Sequence, residues 1–255
     1  MTARVELTGL PGFPLVEPGD DLVPMILDSL ARAQIVPADG DLLVLAQKVV
    51  SKAENRYAYL DDIVPSAEAQ ALAEKADKDP RIVELMLQES VEVMRHRRGA
   101  VIVRHRLGYV HANAGIDQSN IRSDPQHQRV LLLPVDPDRS AAQLRERLRE
   151  ATGADLCIII NDSAGRPWRD GTAGFAIGTA GFEPVVDMIG ESDLFGRALQ
   201  ITKVAVADEL AAAASFVMGQ AAEAIPVVHV RGARLRPSTA GSASLIRPRT
   251  EDLFA

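Results

Sequence analysis

A single cysteine, a single tryptophan, three tyrosines and six phenylalanines are all that 255 residues supply. One cysteine cannot close an internal disulfide. Cys157, inside the apolar run Leu156-Cys157-Ile158-Ile159-Ile160, reads as a small buried hydrophobe rather than a nucleophile. With so few aromatic rings the core has to be aliphatic. No apolar stretch reaches the roughly 18 residues that cross a bilayer. Met1-Thr2-Ala3-Arg4-Val5-Glu6 is no signal peptide, so a cytoplasmic protein without a membrane partner is expected. A formal net charge of −7 argues against a nucleic-acid partner, whose binding depends on basic surface. Also missing are G-x-x-x-x-G-K-[ST], a G-x-G-x-x-G after a strand, C-x-x-C and G-x-S-x-G. Neither a P-loop nor a Rossmann nucleotide site is indicated, and no internal repeat is present.

What is there is an ordinary globular balance, 47% hydrophobic and 25% charged, in a chain long enough for one large domain or two closely joined ones. Short apolar runs predict strands at Val5–Leu10, Leu42–Ala46, Val101–Val103, Val130–Leu133, Leu156–Ile160 and Val227–Val230. Helical spacing and caps predict a helix opened by Asp20 or Asp21, and two helices from Ser66 to about Met94 broken near Asp79-Pro80. A third helix, capped by Asp138 or Ser140, runs through Glu150, and an alanine-rich one runs from Ala205 to Met218 and stops at Gly219. The charge run Glu74–Arg81 reads as a solvated face, Asp124-Pro125 marks a loop, and the polar tail from Ala233 reads as extended or loosely held.

Three stretches carry candidate chemistry. The first is Asn161-Asp162-Ser163-Ala164-Gly165-Arg166-Pro167-Trp168-Arg169-Asp170-Gly171, running on to Gly174, Gly178 and Gly181. Carboxylate and hydroxyl at a strand tip, followed by guanidiniums and glycines, suit a cation–phosphate complex; a strand, a turn and a Gly-rich connector is the plainer alternative. The second is Asn113-Ala114-Gly115-Ile116-Asp117-Gln118-Ser119-Asn120, short oxygen and amide side chains directly after a strand. One carboxylate there is too few for a cation, but paired with Asp162 and with nucleotide phosphates it suffices. The third is Gln47-Lys48-Val49-Val50-Ser51-Lys52-Ala53-Glu54 after a buried strand, either an anion-binding loop or a solvated turn. Arg95–Arg98 and Arg104–Arg106, at the start and turn of a hairpin at Leu107-Gly108, are a basic patch for an anionic ligand or simply wet tips. None of the five histidines has metal-ligand spacing.

Five motifs in register now carry a resemblance: Phe13-Pro14-Leu15-Val16 with Gly19-Asp20-Asp21; Val50-Ser51-Lys52-Ala53-Glu54; Asn113-Ala114-Gly115-Ile116-Asp117 with Ser119-Asn120; Asp162-Ser163 with Gly165-Arg166; and Ala207-Asp208-Glu209 with Met218-Gly219. In order and spacing, from about Val5 to Gly232, the chain resembles the coenzyme F420-0:L-glutamate ligase family. The resemblance implies an α+β fold of mixed sheets with packed helices, a ligase domain over 1–232 and a C-terminal tail over 233–255. It implies a homodimer that adds L-glutamate to coenzyme F420-0, or further γ-linked glutamates, using GTP with Mg2+ or Mn2+, and K+ as an added cation. By matching motif, Asp117, Asp162, Ser163 and Gln220 are the expected metal ligands. Phe13, Pro14, Leu15, Val16, Gln47, Lys48, Lys52, Asn120, Met218, Gly219, Gln220, Ala221, Ala222, Glu223, Ala224 and Ile225 are the expected GTP contacts. Lys52 and Arg166 are the catalytic candidates, as carriers of phosphate or carboxylate charge. Gln220 stands where the family often has Glu. The alternatives are a non-catalytic GTP- or deazaflavin-binding homologue, and an amino-acid ligase acting on a different phosphorylated metabolite.

Overall fold

Leu42-Leu43-Val44-Leu45 leaves no face for water, and a strand of that composition has to be covered on both sides. In the computed structural model, which describes residues 3–122, 124 and 126–252, it is the centre of the fold. In chain order, β1 (Glu6–Gly9) leads to α1 (Leu22–Arg32), and β2 (Leu42–Ala46) runs straight into α2 (Gln47–Ala53). Next come β3 (Tyr57–Tyr59), α3 (Ala67–Ala76), α4 (Pro80–Gln88), β4 (Ser90–Arg97), β5 (Ala100–His105), β6 (Val110–Ala112) and β7 (Arg129–Leu131). The chain finishes with α5 (Pro137–Thr152), β8 (Cys157–Arg166), β9 (Arg169–Phe182), β10 (Val186–Asp187), β11 (Lys203–Val204), α6 (Val206–Met218), β12 (Val227–Arg231) and β13 (Pro237–Ser238). The architecture is α+β.

Six strands form the main sheet in the order β1-β12-β2-β8-β9-β13. The β2–β8 pair is parallel, and every other pair in this sheet is antiparallel. Alternation sends Leu43, Leu45, Ile158 and Ile160 to one face, under Ile26 and Leu30 of α1 and Leu144 and Leu148 of α5. Leu42, Val44, Ile159 and Val228 go to the other face, under Ala207, Ala211 and Ala214 of α6. A second lobe sets α3 and α4 (Leu72, Val83 and Met86) against Val101 and Val103 of the β4-β5-β6 sheet. The aliphatic core is as expected, with Cys157 buried in it. No helix among the described residues is long and apolar enough to cross a membrane.

Asp21 does cap α1, accepting the Val23 N–H at 3.0 Å. The helix expected to reach Met94 stops at Gln88, because Val91 and Val93 are β-branched and alternate with polar residues, which suits β4. Asp136 rather than Asp138 or Ser140 caps α5. Asp138 instead accepts the Thr179 and Ser242 N–H groups, so the tail expected to be loose is pinned through β13 and residues 242–245 to β9. The Gly-rich stretch after Ser163 is not a connector but the β8–β9 hairpin, turning at Pro167-Trp168. Its glycines do permit close approach, by the chain's own helices: a Cβ on Gly174 would lie 2.6 Å from the Ala211 carbonyl of α6, and one on Gly178 2.5 Å from the Pro137 carbonyl of α5. Pro125 lies outside the described residues.

A partly buried carboxylate ties the second lobe to the sheet. Glu89, at the α4–β4 corner, accepts from Arg56 at 2.9 Å and Arg106 at 2.8 Å, with the His105 ring 3.6 Å away. The same two guanidiniums bind the carbonyls of Leu133 and Val135 beyond β7. Burial alone would raise the Glu89 pKa; the surrounding His105, Arg106 and Arg56 outweigh it and hold the carboxyl at about 2. A carboxyl depressed from 4.5 in this way stabilises the fold at every pH above 4.5, and that contribution is lost as pH falls toward 2. Thermal melts across pH 2–7 are therefore expected to show Glu89→Gln less stable by up to about 3 kcal/mol at neutral pH. The gap to wild type should close in acid.

Candidate active site

The site is built where β2 and β8 end side by side. Their parallel register pairs Ala46 with Asn161, so the residues that follow, Gln47-Lys48 on α2 and Asp162-Ser163 on β8, emerge at one edge of the sheet. The stretch read as an anion-binding loop or a solvated turn is thus a helix over Gln47–Ala53, and its spacing puts Lys48 and Lys52 on one face. The Phe13–Val16 loop closes one side of the opening. It is held near α2 by the Gly19 N–H, which donates to the Ala53 carbonyl at 2.9 Å. The loop after α6 closes the other side. Gly219 has φ +74°, and a Cβ there would run into the Glu223 carboxylate, which folds back to accept the Ala221 N–H at 2.8 Å.

Together these segments enclose a cavity of about 470 Å³. Phe13, Pro14, Leu15, Val16, Gln47, Lys48, Lys52, Asn120, Asp162, Ser163 and every residue from Met218 to Ile225 line it. Two expected residues are not in its wall. Asp117 stands just behind, with Gln47 Nε2 donating to it at 2.7 Å and Lys48 Nζ at 3.2 Å. Arg166 is exposed at the tip of the β8–β9 hairpin, with Arg169 and Trp168. The turn that brings Asp162 inward carries the arginines away, so the structure does not bring Arg166 together with Lys52.

Asp117 owes its position to three consecutive residues in the left-handed region: Asn113 (φ +53°), Ala114 (φ +53°) and Gly115 (φ +67°). Two of the three are not glycine, a backbone cost of the kind concentrated at functional sites. This turn folds the chain from β6 back onto β7, where Asp117 and Leu131 exchange two backbone hydrogen bonds of 2.9 Å. Beyond it the Asn120 carbonyl accepts from Lys52 Nζ at 2.8 Å, and the Asn120 amide donates to the Ala221 carbonyl at 3.1 Å. The 117–120 loop is therefore strapped to both walls.

The charges inside the opening constrain one another. Burial raises the Asp117 pKa, Lys48 opposes that, and the nearby Asp162 carboxylate raises it further. Burial and then Lys48 hold the Lys52 pKa below its ordinary value. Two desolvated carboxylates in mutual repulsion, with a hydroxyl (Ser163) and an amide oxygen (Gln220 Oε1) nearby, form a hard-oxygen donor set that a divalent cation would relieve. The Gln220 amide donates its N–H to Ser215 Oγ at 3.0 Å, which leaves that oxygen available. By donor type, all oxygen, Asp117, Asp162, Ser163 and Gln220 suit a hard cation; among the described residues no group of three or more His, Cys, Asp or Glu is placed to hold a metal ion.

One residue of the site was beyond sequence reasoning. His111, 8% exposed on β6, has Nε2 3.0 Å from Asp162 Oδ2 and Nδ1 2.8 Å from the Ala112 carbonyl. Both neighbours are acceptors, so both ring nitrogens donate. Burial lowers the His111 pKa, but the Asp162 carboxylate outweighs it and the net shift is upward. The partner is 51 residues away in sequence, and no local signal announces the contact.

The F420-0:gamma-glutamyl ligase family model matches residues 12–232. The chain is 47% identical over 253 residues to the coenzyme F420:L-glutamate ligase of Methanothermobacter thermautotrophicus, with 98% of each chain covered. It is 45% identical over 245 residues to the protein of the same name from Methanopyrus kandleri, covering 94% of this chain and 93% of that one. The Methanocaldococcus jannaschii protein of that name is 41% identical over 251 residues, with 98% and 97% covered.

Two outcomes are expected at this site. A group whose pKa is raised on folding stabilises fully below its unfolded value, near 6.5 for histidine, and loses that contribution as pH rises through the folded value. The stability difference between wild type and His111→Gln, read from melts at pH 6 to 9, should therefore shrink as pH rises. Gly115→Ala should cost roughly 1–3 kcal/mol in urea unfolding, because the new Cβ is held at positive φ and lies 2.7 Å from Leu133 Cδ1.

Proposed function

The chain belongs to the F420-0:gamma-glutamyl ligase family, and from that premise we propose that it joins L-glutamate to coenzyme F420-0 at the expense of GTP. The names of the relatives, coenzyme F420:L-glutamate ligase, support the two substrates. The observation that carries the nucleotide half of the reading is the cavity at the β2 and β8 ends, which Lys48 and Lys52 line together with Asp162 and Ser163.

An anionic carboxylate has to approach a polyanionic triphosphate, and the repulsion between them is the main barrier to be lowered. In this reading the terminal carboxylate of the deazaflavin substrate attacks the γ-phosphorus, the bond to the bridging oxygen breaks, and GDP leaves. The glutamate amine then attacks the carbonyl of the resulting acyl phosphate, loses its proton, and phosphate departs. No protein nucleophile is required. Lys52 and Lys48 supply positive charge on one wall, and their anchoring to Asn120 and to Ser119 and Asp117 holds them in place before any ligand arrives. Asp117, Asp162, Ser163 and Gln220 would hold Mg2+ or Mn2+, which when bound neutralises phosphate oxygens. His111 keeps the Asp162 carboxylate oriented, and Gln47 does the same for Asp117. The apolar Phe13–Val16 loop and the Met218–Ile225 loop form the walls against which a nucleoside lies. The same reading includes a homodimer, for which the nearly fully exposed Leu194, Phe195 and Phe216 are candidate contact residues.

Mass spectrometry of a reaction containing coenzyme F420-0, L-glutamate, GTP and Mn2+ should find a product heavier by one or more glutamyl units, with GDP formed in step. Asp162→Asn should slow turnover by at least about tenfold, or 1.4 kcal/mol in the barrier. A variant that stays within that range would remove Asp162 from the reaction. GTP binding without glutamylation would favour a pocket that has lost turnover or takes another acceptor.

A further inference from the structure

A second cavity, of about 320 Å³, lies at the corner between α3 and α4, on the side of the Asn113–Gln118 segment to which Ile116 points. Its polar wall is unusually one-sided in what it leaves free. The two carboxylates there are already engaged: Asp77 with Arg98 at 2.8 Å, and Asp79 with Arg81 through contacts of 2.7 to 3.2 Å. The Lys78 side chain, between them, makes no hydrogen bond or ion pair among the described residues; its backbone N–H donates to the Ala73 carbonyl at 3.1 Å. Burial alone pushes its ammonium below the ordinary lysine range, and no charged neighbour contributes. Asn113 spends its oxygen on the Val101 N–H at 3.1 Å, and its N–H2 group has no partner among the described residues. The exposed Gln118 side chain likewise has no hydrogen-bond partner among the described residues. The open valences of this wall are therefore donors and one positive charge. The remainder of the wall is aliphatic: Ile82, Met86 and Ile116.

We propose that this cavity is a carboxylate subsite, in which Lys78, Asn113 and Gln118 hold the carboxylate of a glutamyl group while Ile82, Met86 and Ile116 take its methylenes. Unpaired donors around a partly buried ammonium recruit an anion, and an apolar floor gives a carboxylate on a short aliphatic stem an advantage that inorganic phosphate lacks. The choice of a glutamyl group among such carboxylates rests on the ligase reading above. The subsite is distinct from the nucleotide cavity, because successive residues of an extended segment face opposite sides. Asp117 faces Gln47 and Lys48, while Ile116 and Gln118 border this cavity. The carboxylate can come from free L-glutamate or from the glutamyl end of a ligated product.

Calorimetric titration of the full chain with L-glutamate, with γ-glutamylglutamate and with inorganic phosphate tests the assignment. Lys78→Met should weaken the preferred glutamyl ligand by about tenfold or more, with Lys78→Gln as a second variant and circular dichroism confirming that both fold. Asp162→Asn, which alters the other cavity, should leave this binding unchanged. Tighter binding of free glutamate names the substrate as the source, and tighter binding of the dipeptide names the product. Binding unaffected by both Lys78 variants, or phosphate binding as well as either glutamyl ligand, would overturn the proposal. The glutamylation assay separates the two readings. Normal ligation with Lys78-insensitive binding sinks only the subsite, and Lys78-sensitive binding without ligation sinks only the ligase assignment.

Discussion

The parallel pairing of β2 with β8 is the constraint on which the site depends. It joins segments more than a hundred residues apart in a fixed register, Ala46 opposite Asn161, and so delivers two lysines and a carboxylate to one edge of the sheet. Neither strand can slip. A one-residue shift would turn Leu43, Leu45, Ile158 and Ile160 away from the α1–α5 face, exchanging the contents of two cores that are both fully buried. The tight packing of the sheet therefore secures the geometry of the chemistry. At the opposite end of β2 and β12, buried Asp41 binds His229 and Arg231, which fixes the other end of the same register.

The second lobe contributes to the site through His111 on β6 and through the segment that follows it. Asn113–Asn120 leaves β6 in a left-handed turn, pairs with β7, and ends strapped to α2 and to the loop after α6. Glu89 and its two arginines hold the lobe to the chain beyond β7, and so set where that segment can reach. Asp117 and Asp162 arrive from different lobes, and each is already matched with a donor: Gln47 and Lys48 for one, His111 for the other. Two desolvated carboxylates can stay close only because these donors stand beside them.

Glycine usage shows how far local reading carries. Close approach was the correct physical inference for Gly174 and Gly178, yet what approaches is backbone of α6 and α5 rather than phosphate. Arg166 and Arg169 follow Asp162 closely in sequence, and a compact loop would have kept them together. A ten-residue strand carries the arginines out to an exposed hairpin tip instead. Val91 and Val93 also fit a helical stripe, and the pairing of β4 with β5, with Val93 opposite Val103, decides for the strand that their β-branching favours.

What the sequence by itself determined is whatever a short stretch of chain can enforce. Aliphatic runs specify the buried strands, Asp21 caps α1 and Gly219 ends α6; the motifs around Lys52, Asp117, Asp162 and Met218 are enough to identify the family. Tertiary structure alone decided that His111 meets Asp162, that Asp117 stands behind Lys48 rather than in the cavity wall, and that Lys78 is left without a counter-charge. These contacts join residues from about fifty to seventy positions apart or, for Lys78, depend on which neighbours are already paired. Charge and desolvation act through space. Their outcome therefore becomes readable only once the sheet register and the Glu89 tether have set the distances.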